Sequence, residues 1–334
     1  MAELSEIAYA IKSSEEKIKN IARRLRESNK HSISGAFEEE LCIVTSADEI
    51  NYSVCAVDGG LLAERLHGVD ILIGKALAVN FKYSNSKLLS CSYFPQKFPP
   101  STLDARFGLD EHESQAHSSL FRLKMEIKTA IDAVKNFSPD VLLFDGSLLP
   151  LPNDIPKRDS IIYPEYTEVL ALYAKLYEGC KNKCALMGVI KDTRSKRLVS
   201  ALGINEPDLS DSRFTNFLLK KGERTCIFPY AEEDTPAITE LKRYGEVYCF
   251  YIKPSERDLP LRIEFVNDNN AKRIPGIIRS LSSISESYAY PAALIEADLC
   301  AAMDPKEMEN IKSKLSILLG SSLRPLRRDA RPFR

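Results

Sequence analysis

The sequence predicts an α/β protein: a mixed sheet flanked by helices, with additional helices at the N- and C-termini. Two observations predict it. Apolar runs of strand length recur at residues 41–45, 53–57, 140–144, 184–191, 225–230, 246–253 and 261–266. Segments with a helical repeat separate the later runs, whereas the first ones lead into a hairpin. An antiparallel opening followed by alternating strands and helices gives a mixed sheet with helices on its faces. At 334 residues, 44% hydrophobic and 28% charged, the chain has material for a large core.

Taken in order, residues 4–29 form the first expected helix, with Ile7, Ile11, Ile18, Ile21 and Leu25 near a 3.6-residue period. This helix is charged throughout, unlike a secretory leader. No run approaches the roughly 18 apolar residues of a membrane span, so the cytoplasm is the expected compartment and no membrane partner is expected. Strands 41–45 and 53–57 come next. The stretch "VDILIGKALAVNFKYSNSKLLSCSYF" reads as two long strands joined at "SNS". Residues 93–110, with three prolines in "FPQKFPPST", read as loop. A helix over 111–136 ends at "FSPD" before strand 140–144, and "YPEYTEVLALYAKLYEGC" is another helix before strand 184–191. Further helices are expected at 209–220, 234–243, 270–283, 291–303 and 305–319.

The formal net charge is −1, so no global basicity announces nucleic acid, and an anionic partner must be met by a local patch. Two candidates exist: "KDTRSKR" at 191–197, carrying Lys191, Arg194, Lys196 and Arg197, and the tail 321–334, with five arginines against one aspartate. The tail is either a solvated end or a patch for phosphates or an acidic partner. The eight cysteines are scattered, and Cys55, Cys91, Cys226 and Cys249 lie in apolar runs, as buried reduced thiols do. Cys180 and Cys184 lack the second pair that a zinc site requires. His112 and His117 read as residues of a solvated helix start.

Two stretches, "VCAVDGG" at 54–60 and "VLLFDGSLLP" at 141–150, end an apolar strand in Asp-Gly. An ionised carboxylate buried without a partner would rather take a proton. Asp58 and Asp145 therefore need solvent, a cation or the backbone donors of a glycine turn. Strand ends of open α/β sheets are where ligands bind, and two acids there suit the oxygen-seeking ions Mg²⁺ and Mn²⁺. The plainer reading is turn chemistry, since Asp-Gly is a common turn dipeptide. Glu126 lies beside the apolar stripe of helix 111–136 and can reach toward the strand ends; otherwise it is a solvated flank residue. Lys191 closes its strand beside these acids, either to meet a phosphate or as an edge charge.

The motifs "AVDGG", "MEIK…VLLFDGSL", "LMGVIKDTRS", "YCFYIK…LRIEF" and "YAYPAALIEADLCAA", in this order, resemble those of the NurA nuclease family from about residue 50 to about residue 303. The resemblance implies a ribonuclease H-like core and a manganese-dependent nuclease. Such an enzyme degrades single-stranded DNA and resects duplex ends 5′→3′ with the hexameric ATPase HerA in archaeal DNA end processing and repair. It also implies a homodimer, for which the helix in 1–35 is a candidate element, with the NurA domain at 36–320 and the basic tail at 321–334. Carried over by motif, the metal ligands are Asp58, Glu126, Asp145 and Asp298, with Lys191 as the strand-end lysine. Two ions, Mn²⁺ or alternatively Mg²⁺, would be held with Asp58 bridging, and Lys191 would face the scissile phosphate. Tyr288 and Tyr290 would stack on a base or bond a phosphate; otherwise they pack at a rim. Gly60 stands where many members have serine, and Asp298 where many have histidine. The latter favours harder ions, although Asp298 also reads as a surface charge on an amphipathic helix. Two alternatives stand beside a nuclease: a non-catalytic clamp of the same fold on a DNA-translocating ATPase, and a phosphoryl-transfer enzyme for small esters.

Overall fold

Strand residues alternate between two apolar faces, and that alternation builds, among the described residues, one 11-stranded sheet covered on both sides. The structure is a computed structural model describing residues 2–230, 236–266 and 271–320. The strands are β1 (Cys42–Val44), β2 (Ser53–Leu66), β3 (Val69–Ser84), β4 (Lys87–Phe94), β5 (Thr102–Phe107), β6 (Val141–Asp145), β7 (Ala185–Ile190), β8 (Glu223–Thr225), β9 (Phe228–Pro229), β10 (Val247–Ile252) and β11 (Leu261–Val266). The helices are α1 (Ala2–Ser28), α2 (Glu111–Phe137), α3 (Tyr163–Cys180), α4 (Arg197–Ala201), α5 (Asp211–Leu218), α6 (Pro236–Lys242), α7 (Ile274–Leu281), α8 (Ala292–Ala301) and α9 (Pro305–Leu319).

The sheet order is β1-β8-β10-β11-β7-β6-β2-β3-β4, with β5 on β3 and β9 on β10. Its centre is the ribonuclease H-like arrangement. β2, β3 and β4 form an antiparallel meander, while β6 and β7 run parallel to β2 on its other side. In β2, Cys55 and Val57 enter the cluster beneath α2 and α3, while Val54 and Ala56 enter the one beneath α7 and α8. β6 divides likewise: Leu142 and Phe144 on the α2 side, Val141 and Leu143 on the α8 side. Each large apolar side chain buried this way contributes roughly 1.5–3 kcal/mol. Helix α2 begins at a capping box, Asp110 accepting from the Glu113 amide and Glu113 reaching back to the Asp110 amide.

Four expectations are corrected. β2 does not stop at Asp58; it continues to Leu66, paired with β3 throughout. Residues 102–107 are a strand, not loop: β3 outruns β4, and β5 occupies its free edge from Val69 to Gly74. The period-2 pattern of "TLDARF" was there, hidden behind the prolines upstream. His117 is not solvated but 1% exposed, and Cys91 is exposed rather than buried. Helix 234–243 is seen as α6, helix 270–283 as α7, and the apolar run 225–230 divides between β8 and β9. The first residues of the expected helices 234–243 and 270–283, and the arginine-rich tail 321–334, lie outside the described residues. No helix among the described residues is long and apolar enough to cross a membrane.

Candidate active site

Strand alternation aims two carboxylates the same way. Asp58 follows Ala56 on the α8 face of β2, and Asp145 follows Leu143 on the same face of β6. Val57 pairs with Phe144 at the end of the parallel ladder, so Asp58 and Asp145 are the next residues on adjacent strands. In β7, Asp145 pairs with Val189, and Lys191 lies two residues further on, with Nζ 3.2 Å from Asp145 Oδ2. The Tyr290 hydroxyl, just before α8, stands 3.0 Å from Asp145 Oδ1 and 3.2 Å from the Val189 carbonyl, able to donate to one at a time. Its ring lies 4.4 Å beneath the Lys191 ammonium. Burial alone would lower the lysine's pKa, but the charge and hydrogen bond of Asp145 outweigh it, so Lys191 stays protonated.

Glu126 approaches from the opposite face of the sheet. The glycine step in β2 admits it: a Cβ at position 59 would stand 2.9 Å from Glu126 Cγ and from Oε1. Gly59 needs no left-handed backbone, so its value here is the missing side chain. Glu126 is 1% exposed, and neither oxygen has a hydrogen-bond partner among the described residues. Nη1 of Arg122, one turn earlier on α2, is 3.3 Å from Oε1 but outside hydrogen-bonding geometry. Burial pushes the Glu126 carboxyl up to about 8; Arg122 pulls it down, and the Asp58 and Asp145 charges push it up. Burial likewise pushes Asp58 up to about 7, with Asp145 and Asp298 adding to it. The Gly59 amide, 2.7 Å from Oδ1, and Arg122 oppose that rise.

Asp298 is exposed on α8, close enough for its charge to act on both Asp58 and Lys191. Tyr290 is 2% exposed, so its hydroxyl rather than its ring face is what it offers the site, and stacking on a base does not fit its burial. Tyr288 is exposed, its ring 5.9 Å from that of Tyr290. Of the basic run, Lys191 joins the acids and Arg194 is exposed. Lys196 donates to the Pro207 carbonyl. Arg197 donates to the Tyr230 carbonyl at 2.6 Å and stacks on that ring at 3.8 Å. Gly60 is more than a lost hydroxyl, because a Cβ there would collide with the Ala301 carbonyl oxygen at the end of α8.

Sequence reasoning missed Arg122. Lys124 and Lys128, two residues either side of Glu126, lie on another face and bind Glu168. The signal was the i, i+4 spacing of Arg122 and Glu126, which places them on one helix face.

The donors are carboxylate oxygens, the hard ligands that Mn²⁺ and Mg²⁺ take, and the two orphaned buried oxygens of Glu126 are what a bound cation would satisfy. The residues fit such an ion. Among the described residues, no three Asp, Glu, His or Cys side chains are gathered tightly enough to hold one as they stand. Arg122 and Lys191 each stand beside one of the acids, Arg122 by Glu126 and Lys191 by Asp145.

Fold and site together define the class: an α/β protein with a ribonuclease H-like core and buried acids converging where β2 meets β6. Residues 52–301 match the family model of the NurA domain, and the chain belongs to the NurA family. Among solved structures, it is similar to the NurA nuclease from Sulfolobus solfataricus, at 18% identity over 96% of each chain with a TM-score of 0.64. It is also similar to a NurA with manganese, at 12% identity over 95% of this chain and 98% of that one, TM-score 0.58. A NurA bound to dAMP and manganese aligns at 12% identity over 94% of this chain and 96% of that one, TM-score 0.57. At these identities the likeness establishes the fold. A comparison with curated proteins finds no match.

Proposed function

We propose that this chain is a divalent-metal-dependent DNA nuclease, hydrolysing phosphodiester bonds in single-stranded DNA and resecting duplex ends 5′→3′. The observation that carries the reading is the placement of Asp58 and Asp145 side by side on adjacent strands, with Glu126 entering over Gly59. Family membership supports it, as do the manganese and dAMP bound by proteins of the same fold.

Asp58, Glu126, Asp145 and Asp298 would hold the Mn²⁺ or Mg²⁺ ions, two in the proposed count. The metal supplies Lewis acidity for the attacking water and the departing alkoxide. The chain supplies the rest. Lys191, already protonated and half-exposed, turns from Asp145 to a non-bridging oxygen of the scissile phosphate. The Tyr290 hydroxyl fixes the orientation of Asp145. Arg194 and Tyr288, both exposed, line the approach of the strand. A HerA-type hexameric ATPase as partner, a homodimer joined through α1 and a cytoplasmic location complete the proposal.

The test is degradation of a 5′-labelled and a 3′-labelled single strand with Mn²⁺, Mg²⁺ or chelator. Asp58→Asn and Asp145→Asn should each lower the rate by about 100-fold or more. Wild type no more active with metal than with chelator would leave the non-catalytic clamp, whose support is the open spacing of the acids; full activity in both variants would move the chemistry away from Asp58 and Asp145.

A further inference from the structure

We propose that Arg122 is a resident counter-cation: its guanidinium occupies the electrostatic place of the metal in the metal-free chain and exchanges with the incoming ion. The proposal rests on the reading of the carboxylates as metal ligands. It is carried by three features of the site. Arg122 Nη1 lies 3.3 Å from Glu126 Oε1, yet no hydrogen bond ties the two, so the contact is held by charge and easily given up. The Arg122 side chain is 39% exposed and that of Glu126 1%, so the guanidinium has a way out to water while the carboxylate has none. Its field also reaches Asp58, Asp145 and Asp154.

Asp154 is buried and already committed, accepting from Ser119 Oγ and from the Leu151 amide. It therefore attracts the guanidinium without needing it. Arg122 thus feels both this satisfied acid and the unsatisfied Glu126. Without a cation, the buried acids would face one another with too little compensating charge, a costly arrangement in a medium of low dielectric. A divalent ion supplies two charges and direct oxygen bonds, and Arg122 then becomes surplus beside Glu126. Lys191 stands in the same relation to Asp145, but its proposed business with the phosphate separates it from this argument.

The role makes Arg122 a positioning residue that works against metal affinity, opposite in sign to a structural support. Calorimetric titration of Mn²⁺ alone into wild type, Arg122→Gln and Arg122→Lys at pH 8 tests it. Outer-shell partners shift metal affinity by roughly 10–100-fold, and Arg122→Gln is expected to bind Mn²⁺ about tenfold more tightly. Arg122→Lys, which keeps the charge, should stay near wild type. The melting temperature of metal-free Arg122→Gln should fall below wild type, and saturating Mn²⁺ should close the gap. If the glutamine variant does not fold, Arg122→Met, which keeps the apolar stem, takes its place. Equal or weaker Mn²⁺ binding by the folded neutral variant overturns the exchange. Wild type that takes up no Mn²⁺, with Asp58→Asn indistinguishable from it, overturns the metal-site reading itself.

Discussion

At position 59, one absent side chain decides whether a helix carboxylate can meet a strand carboxylate. Glu126 sits where a Cβ would be, and the Lys75 carbonyl oxygen would stand 3.2 Å from that same carbon. Gly59→Ala therefore cannot be absorbed on one side without crowding the other. It should destabilise by about 1–3 kcal/mol and lower Mn²⁺ affinity, measured by urea unfolding and calorimetry; unchanged Mn²⁺ binding would refute the doorway role. Tyr290→Phe removes a hydroxyl from a charged acceptor without opening a cavity. A bond of that kind is worth about 1.5–3 kcal/mol and orients a proposed metal ligand, so Mn²⁺ affinity by calorimetry should fall by roughly tenfold or more and cleavage should slow with it. Asp58 and Asp145 were legible in the sequence because two apolar runs each close on an acid, although turn chemistry is the plainer reading of either alone. Gly59 was not, since Asp-Gly reads as a turn until strand pairing past Leu61 is seen. Nor was the role of Gly60, which depends on where a helix more than two hundred residues later ends.

At the scale of elements, α2 is the arm that carries Glu126 and Arg122, and its register on the sheet fixes both. A second buried polar group sets that register. His117, on α2, has Nδ1 2.8 Å from Glu165 of α3 and Nε2 3.0 Å from Asp104 of β5, and Arg106 of β5 lies 2.8 Å from the other Glu165 oxygen. Burial would push the Glu165 carboxyl up, but the His117 hydrogen bond and the charges of His117, Arg106 and Lys124 hold it below its ordinary value. A lowered acid stabilises the fold above its unfolded value of 4.5 and loses that contribution as pH falls through the folded one. His117→Ala should cost roughly 1–3 kcal/mol, the desolvation cost of a buried group left unpaired, and shift acid unfolding to higher pH. Equilibrium denaturation from pH 3 to 7 checks both; a variant as stable as wild type would show that apolar packing alone sets the register of α2. The helical repeat made α2 and its boundaries readable, but not this clamp. Its partners come from a strand hidden behind prolines and from a helix 48 residues on.

Across the whole molecule, a near-neutral chain with a net charge of −1 concentrates acid in one interior place, with Arg122 and Lys191 as counter-charges. The cause is architectural. A sheet covered on both faces leaves little water at the junction of β2 and β6, where alternation and the glycine step bring Asp58, Asp145 and Glu126 together. Such a site should make the metal-free protein less stable as the solution becomes more alkaline. The folded-state values of Asp58 and Glu126 are raised, from 3.8 to about 7 and from 4.5 to about 8. Between the ordinary and the raised values the folded chain binds more protons than the unfolded chain, so unfolding free energy declines as pH rises through that window and levels off above it. A divalent ion bound there would replace those protons, and its stabilising effect should grow over the same range. Melting temperatures with chelator and with Mn²⁺, taken from pH 5 to 9, should therefore diverge as pH increases. Glu126→Gln, which cannot ionise, should flatten the chelator curve and narrow the divergence. Parallel wild-type curves across that range would mean that these acids ionise as freely inside the fold as in water, and that no metal is needed to keep them there.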